Sequence, residues 1–151
     1  MTFNRIDFKF VNSHEKASAV RDTSKLETLK ASIRQRLSVS KNMVVIISGD
    51  TRKSGSLLSY EVEMAVDHYK IPLIIAYAGY GSVLTPLSHS EEWPTALKMR
   101  INNGSAKAIH IPFKKDALFA FIDRFTVNGE EIGGSLVHFT RAAQVDWGYI
   151  N

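Results

Sequence analysis

Glu61 is the residue of this chain whose type and position best suit chemistry. The stretch that begins at Leu57 is predicted to be a helix, because apolar side chains recur there at helical spacing. The stripe consists of Leu58, Val62, Ala65 and Tyr69. Glu61 lies at the edge of this stripe, so its carboxylate points either to solvent or into a partly dry environment. In the second case burial raises its affinity for a proton and makes it useful for catalysis.

A loop rich in polar residues comes shortly before this helix. It follows Met43–Ile47, a short, continuous and β-branched run that predicts a strand covered on both faces. Open α/β sheets bind ligands in the loops at the carboxyl ends of parallel strands. Gly49 lets a ligand approach the backbone, and Asp50, Thr51 and Arg52 offer hydrogen bonds or contacts to a phosphate. The alternative, which stays open, is an ordinary turn that closes the strand.

The elements before this loop begin an alternation of strand and helix. Residues 3–11 alternate apolar and polar side chains, as a strand with one solvated face does. Ser24 and Glu27 have the spacing of a capping box, which predicts the start of a helix. The apolar face of that helix is formed by Leu26, Leu29, Ile33 and Leu37.

The alternation continues after the helix that carries Glu61. Strands are predicted at residues 71–77 and 106–112, a helix at 114–125 and a weaker strand at 135–140. The segment 78–105 is irregular, with one short helix opened by residues 91–97, and a C-terminal extension starts at about residue 126. This order predicts a single α/β domain with a parallel sheet, right-handed crossovers and helices on both faces. Loops at the carboxyl ends of the strands then converge, at residues 12–15, 48–53, 78–83 and 112–114.

Composition narrows the class of protein. The 151 residues match one domain, and 44% hydrophobic with 23% charged residues is ordinary for a globular chain. The absence of cysteine excludes disulfides and thiol catalysis and fits a cytoplasmic protein. No apolar run is long enough for a bilayer, and the N-terminus lacks the pattern of a signal peptide. The net charge of +4 comes without a dense Lys/Arg tract, so we expect no nucleic-acid partner.

Several of these segments, in this order, resemble the TIR-like family that includes the Thoeris antiphage TIR proteins. The segments that carry the resemblance are Phe8–Glu15, Arg21–Ser24, Asn42–Gly49, Tyr60–Ala65, Ile71–Ile74 and Ala108–Phe113. The similarity covers roughly residues 3–125. It implies a flavodoxin-like, three-layer parallel sheet with helices on both faces.

The resemblance also implies a function. Active branches of the family cleave the nicotinamide–ribose bond of NAD, and the helix glutamate of those enzymes corresponds to Glu61. NAD is then a substrate and no cofactor is tightly bound. In Thoeris-type systems the product is a cyclic or conjugated ADP-ribose signal that activates a partner effector, and TIR enzymes commonly self-associate.

Three further residues are candidate contacts for such a nucleotide. Ser13 and His14 project from the end of the first predicted strand, where His14 either contacts a phosphate or ribose or caps the loop. Tyr60 either stacks on a base or packs in the core. The histidines are spread along the chain without ligand spacing, so no metal site is expected.

Two departures from the family pattern bear on activity. The family's usual first strand, normally central, is not apparent: the chain lacks it, or residues 135–140 take its place, or the sequence begins internally. Leu57 stands where many relatives have a tryptophan, four residues before the glutamate. The alternative functions are therefore a non-catalytic TIR-like module that binds a nucleotide or another protein, and a flavodoxin-like domain of unrelated role.

Overall fold

The computed structural model describes residues 23–51 and 56–150. The predicted first strand at 3–11 and the candidate residues Ser13, His14 and Arg52 lie outside them. The described strands are β1 (Met43–Ile47), β2 (Leu73–Tyr77), β3 (Ala108–Pro112) and β4 (Val137–His138), and the described α-helices are α1 (Thr23–Ser38), α2 (Ser56–Glu63), α3 (Thr95–Asn102), α4 (Lys115–Ile122) and α5 (Arg141–Asp146).

The described strands form one parallel sheet in the order β1-β2-β3-β4. Ile47, Tyr77 and Pro112, the last residues of three neighbouring strands, lie side by side in register. The carboxyl ends of these strands therefore share one edge of the sheet. The parallel sheet and its helices confirm the predicted α/β class. Within the described residues, no helix is both long and apolar enough to cross a bilayer.

Helices cover both faces of the sheet because strand residues alternate between two cores. On β2, Leu73, Ile75 and Tyr77 belong to the core that α1, α2 and α3 complete. Ile74 and Ala76 belong to the core that α4 completes on the opposite face. The predicted three-layer, flavodoxin-like arrangement is confirmed.

The crossover connections between neighbouring strands cannot all have the same handedness. The strands follow each other across the sheet in chain order, so connections of a single hand would place every helix on the same face. The connection through α4 crosses the other face from those through α2 and α3. The expectation of right-handed crossovers throughout is therefore wrong. The side-chain amide of Asn42 ties the C-terminal end of α4 to the start of β1, since it donates to the carbonyls of Ile122 and Phe125 at 2.7 and 2.9 Å.

Residues 78–105 contain more helix than predicted. A 3₁₀-helix spans Pro86–Glu92 and α3 begins at Thr95, in place of one helix opened by residues 91–97. Pro94 causes the break, because it has no N–H and forces the residue before it into extended conformation. Trp93 accordingly has φ −80° and ψ 135°.

Other predictions differ from the structure. The helix predicted at 114–125 ends at Ile122. β4 pairs with β3, on the side of the described sheet away from β1, so residues 135–140 do not take the place of the family's first strand.

A chain of hydrogen bonds crosses the core beside β2. The indole N–H of Trp93 donates to the Tyr77 hydroxyl at 2.9 Å, and that hydroxyl lies 2.7 Å from Nδ1 of His110. Nε2 of His110 lies 2.8 Å from the Ser135 carbonyl. Because a carbonyl only accepts, Nε2 carries the proton and Nδ1 accepts from Tyr77. The network joins β2, β3, the start of α3 and the approach to β4.

Removing the Tyr77 hydroxyl is expected to destabilise the protein. Tyr77→Phe leaves the buried Trp93 N–H and His110 Nδ1 without partners, which costs about 1–3 kcal/mol of unfolding free energy. Urea unfolding measures this loss. Tyr80→Phe, which removes a hydroxyl from a side chain 39% exposed, is the matched control and is expected to change the free energy by less than about 0.5 kcal/mol. Equal effects of the two substitutions would contradict the assigned network.

His110 is expected to make stability depend on pH. Burial lowers its pKa from 6.5 to about 4, so between these values the unfolded chain binds more protons than the folded one. The contribution is fully present above pH 6.5 and is lost as pH falls towards 4, up to about 3 kcal/mol. Urea titrations across this range measure it. His110→Gln is expected to flatten the dependence, whereas His138→Gln, at an exposed position, is expected to retain it.

Candidate functional site

Glu61 lies in the second turn of α2, on the edge of the helix that meets the core. Leu57 and Ala65, four residues before and after it, are buried at 1% and 0% exposure. Because residues four apart share a face of a helix, they place Glu61 against the interior. Its Oε1 atom is excluded from solvent, although the residue as a whole is only partly buried. The carboxylate therefore does not point wholly to solvent, and one of its two oxygens lies in a dry environment.

A π-helical turn, Met64–His68, begins three residues after Glu61. The backbone N–H of Tyr69 donates to the Met64 carbonyl at 2.9 Å. The extra residue in this wider turn lets both Ala65 and Val66 be buried, at 0% and 5% exposure. Turns of this kind are frequent at functional sites.

The loop after β1 is a tight turn held by Thr51. The Thr51 hydroxyl accepts from the N–H of Ser48 at 2.7 Å and donates to the carbonyl of Ile46 at 3.1 Å. Thr51 is buried, whereas Gly49 and Asp50 are exposed at the tip of the turn. Of the predicted contact residues, Gly49 and Asp50 are thus open to a ligand, and the hydroxyl of Thr51 shapes the loop.

Tyr60 is held against α1. Its hydroxyl lies 2.6 Å from Nη1 of Arg34, which donates to it, and Nζ of Lys30 lies 5.1 Å from the ring centroid. The ring also packs on the core that α1, α2 and α3 share. Tyr60 therefore fixes α2 to α1, which is the packing alternative that the sequence left open.

The loops after β1 and β2 leave the sheet together. The N–H of Ala78, just after β2, donates to the carbonyl of Ile47, the last residue of β1, at 2.8 Å. A ligand on the turn at Gly49 and Asp50 is thus next to the loop that follows Tyr77. This agrees with the predicted convergence of loops at the carboxyl edge.

Sequence reasoning missed a group of polar aromatic residues at this edge. Oε2 of Glu92 accepts a hydrogen bond from the Tyr80 hydroxyl at 3.0 Å and lies 3.2 Å from Nδ1 of His89. The rings of Tyr80 and His89 are 4.5 Å apart, and His89 also lies 4.6 Å from the Tyr77 ring. The sequence offered one signal of this group, because His89 and Glu92 are three residues apart and follow Pro86. No group of three or more His, Cys, Asp or Glu within residues 23–51 and 56–150 is arranged to hold a metal ion.

Comparison with known families adds to this geometry. Residues 1–81, more than half of the 151, match the family described as Thoeris protein ThsB, TIR-like domain. The chain belongs to this family. The match includes Glu61, the turn at Gly49 and Asp50, and all of β2, and it ends just after Tyr80. The resemblance to Thoeris TIR-like proteins is therefore confirmed.

Thr51→Val is expected to loosen the turn after β1. Valine keeps the shape of the side chain but leaves the Ser48 N–H without its partner, which costs about 1–2 kcal/mol of unfolding free energy. Urea unfolding measures the loss. Asp50→Ala, at the exposed tip of the same turn, is the control and is expected to change stability by less than about 0.5 kcal/mol. A stable Thr51→Val protein would show that the hydroxyl does not hold this loop.

Proposed function

We propose that this Thoeris-family protein cleaves the nicotinamide–ribose bond of NAD, with Glu61 as the electrostatic catalyst. The observation that carries the proposal is the solvent-excluded Oε1 of Glu61, on a helix that follows the carboxyl edge of the sheet. Family membership supports the same reaction class. Carboxylates placed in a partly dry site near a ligand-binding edge are characteristic of catalytic groups.

The reaction needs little from the protein beyond one carboxylate. As the bond between C1′ of the ribose and the nicotinamide nitrogen breaks, positive charge develops on the sugar, as it does in glycoside hydrolysis. A fixed negative charge lowers the energy of that state, and its effect is larger where water is excluded. Nicotinamide departs as a neutral molecule with the electron pair of the bond, so no strong general acid is needed.

The proposed nucleotide contacts are at the carboxyl edge. Gly49 and Asp50 form the exposed tip of the turn after β1, and Ser13, His14 and Arg52 are proposed contacts on the basis of sequence alone. Thr51 shapes the turn by its hydroxyl bonds. We assign Tyr60 to the support of α2.

The product and its partners belong to the same proposal. An ADP-ribose-derived signal, made by a self-associating protein and read by an effector, fits the Thoeris family to which the chain belongs. The cleaved ribose carbon is then taken by water or by a nucleophile of the nucleotide itself. In both cases one C–N bond breaks, one new bond forms at C1′, and a proton is released from the nucleophile.

Glu61→Gln is expected to lower nicotinamide release on the order of 100-fold, because a neutral amide no longer stabilises the developing charge. The measurement is chromatographic detection of nicotinamide during hours of incubation with NAD, at high protein concentration so that self-association is favoured. Glu63→Gln is the matched control: this side chain is on the same helix but exposed, and activity is expected to be unchanged.

Two outcomes would redirect the proposal. Equal nicotinamide release by the wild type and Glu61→Gln would remove Glu61 from the mechanism. Saturable nucleotide binding without release by either protein would identify a non-catalytic binding module of the same family.

A further inference from the structure

The 3₁₀-helix Pro86–Glu92 builds a side-chain cluster that the proposed reaction has not used. Residues three apart in a 3₁₀-helix are directly above one another. His89 and Glu92 therefore project from the same side, where Glu92 Oε2 lies 3.2 Å from Nδ1 of His89. Because a carboxylate only accepts, His89 is protonated at Nδ1 and its Nε2 is an acceptor in the neutral imidazole.

Tyr80 completes the cluster from the loop after β2. Its hydroxyl donates to the same Oε2 of Glu92 at 3.0 Å, and its ring lies edge to face with the ring of His89. Tyr80 is 39% exposed and the side chain of Glu92 is 25% exposed, so both are accessible from solvent. Within the described residues, no Lys or Arg forms an ion pair with Glu92.

The loop that carries Tyr80 is firmly held. The side-chain amide of Gln144, in α5, accepts from the N–H of Val83 at 3.0 Å and donates to its carbonyl at 2.8 Å. Gln144 and Val83 are both buried. Two hydrogen bonds to one backbone unit fix the loop in register, and below it Tyr77 is locked by Trp93 and His110. A site on this loop is therefore preorganised for a ligand.

The chemistry of the cluster selects a charge as well as a shape. An aromatic face attracts cations through its quadrupole, and a carboxylate that pairs with no Lys or Arg among residues 23–51 and 56–150 attracts them by its charge. The acceptor Nε2 of His89 suits an amide N–H. A flat ring that carries a positive charge and a carboxamide satisfies all three groups.

We propose that Tyr80, His89 and Glu92 form a binding site for a cationic heteroaromatic ring. Resting on the proposed function, the ring is the nicotinamide end of NAD, which is cationic before cleavage and neutral afterwards. The site then holds the substrate and releases the product, because neutral nicotinamide loses the attraction of Glu92. The turn at Gly49 and Asp50 leaves the same edge of the sheet, where the N–H of Ala78 donates to the carbonyl of Ile47.

The test compares two small probes that no glycosidic cleavage consumes. 1-Methylnicotinamide is a cation and nicotinamide is neutral, with the same ring and carboxamide. Each is titrated into the wild-type protein while backbone amide signals are followed by NMR, at about pH 8, above the range where imidazoles usually titrate. The methylated probe is expected to bind about fivefold more tightly, with the largest shifts at residues 79–92.

Substitutions at Glu92 and Tyr80 test whether these side chains cause the preference for the methylated probe. Glu92→Gln keeps an oxygen that accepts from Tyr80 but loses the charge, and the preference is expected to fall below about twofold. Glu91→Gln is the matched control, since that neighbour is 80% exposed and pairs with Lys98, and it is expected to keep the preference. Tyr80→Leu is expected to weaken the methylated probe at least fivefold, whereas Tyr80→Phe, which retains the ring, is expected to weaken it less.

Any of three results overturns this site: equal affinity for the two probes, shifts that lie away from residues 79–92, or a preference that survives Glu92→Gln. An absence of shifts up to the solubility limit of the probes counts with them. These results are separate from nicotinamide release. If nicotinamide release depends on Glu61 but the two probes bind equally, the proposed reaction stands and this binding site does not. If the cationic probe binds more tightly but no nicotinamide is released, the binding site stands and the proposed reaction does not.

Discussion

The Tyr77 hydroxyl is the contact on which much of the structure depends. It is fully buried at the carboxyl end of β2, where an unpartnered hydroxyl is costly. Trp93 supplies its donor and His110 its acceptor. Burial raises the pKa of Tyr77 and lowers that of His110, so the proton remains on the phenol and the imidazole stays neutral. One atom thus ties the end of β2 to β3 and to the segment that precedes α3.

This constraint extends to the candidate site. Trp93 directly follows the 3₁₀-helix that carries His89 and Glu92, and the ring of Tyr77 lies 4.6 Å from that of His89. The buried hydrogen bonds therefore hold Trp93, the residue that follows Glu92 in the chain. At the same edge, the Thr51 hydroxyl holds the turn after β1 and the Gln144 amide holds the loop after β2. Both loops are therefore fixed by a buried polar side chain.

Local pattern in the sequence was sufficient for the sheet and for α2. Met43–Ile47 is predicted to the residue, because a run of β-branched side chains bounded by polar ones has few alternatives. The partly dry position of Glu61 follows from helical spacing, although Leu57, left out of the predicted stripe, is among the most buried residues of the helix. The helical period of apolar residues shows which way the buried face of a helix points, but not how many residues that face includes.

Features that depend on contacts distant in the chain could not be predicted in this way. The C-terminal end of α4 is held by Asn42, 80 residues before Ile122, and no local pattern encodes that pairing. Tyr80 and Glu92 are brought together by a 3₁₀-helix that a proline begins and another proline follows, a geometry without a clear apolar period. The function of Thr51 was ambiguous for a similar reason, since a threonine in a loop serves a turn or a ligand equally well.

The position of α4 has a consequence for how the chain folds. The amide of Asn42 and the carbonyl of Lys41, at the start of the first described strand, pair with groups at residues 122, 125 and 127. Such distant pairing raises the contact order, and closing a long loop is slow. The layer that α4 forms can therefore be fixed to the start of β1 only after residues 122–127 have been synthesised, 80 or more residues beyond Asn42.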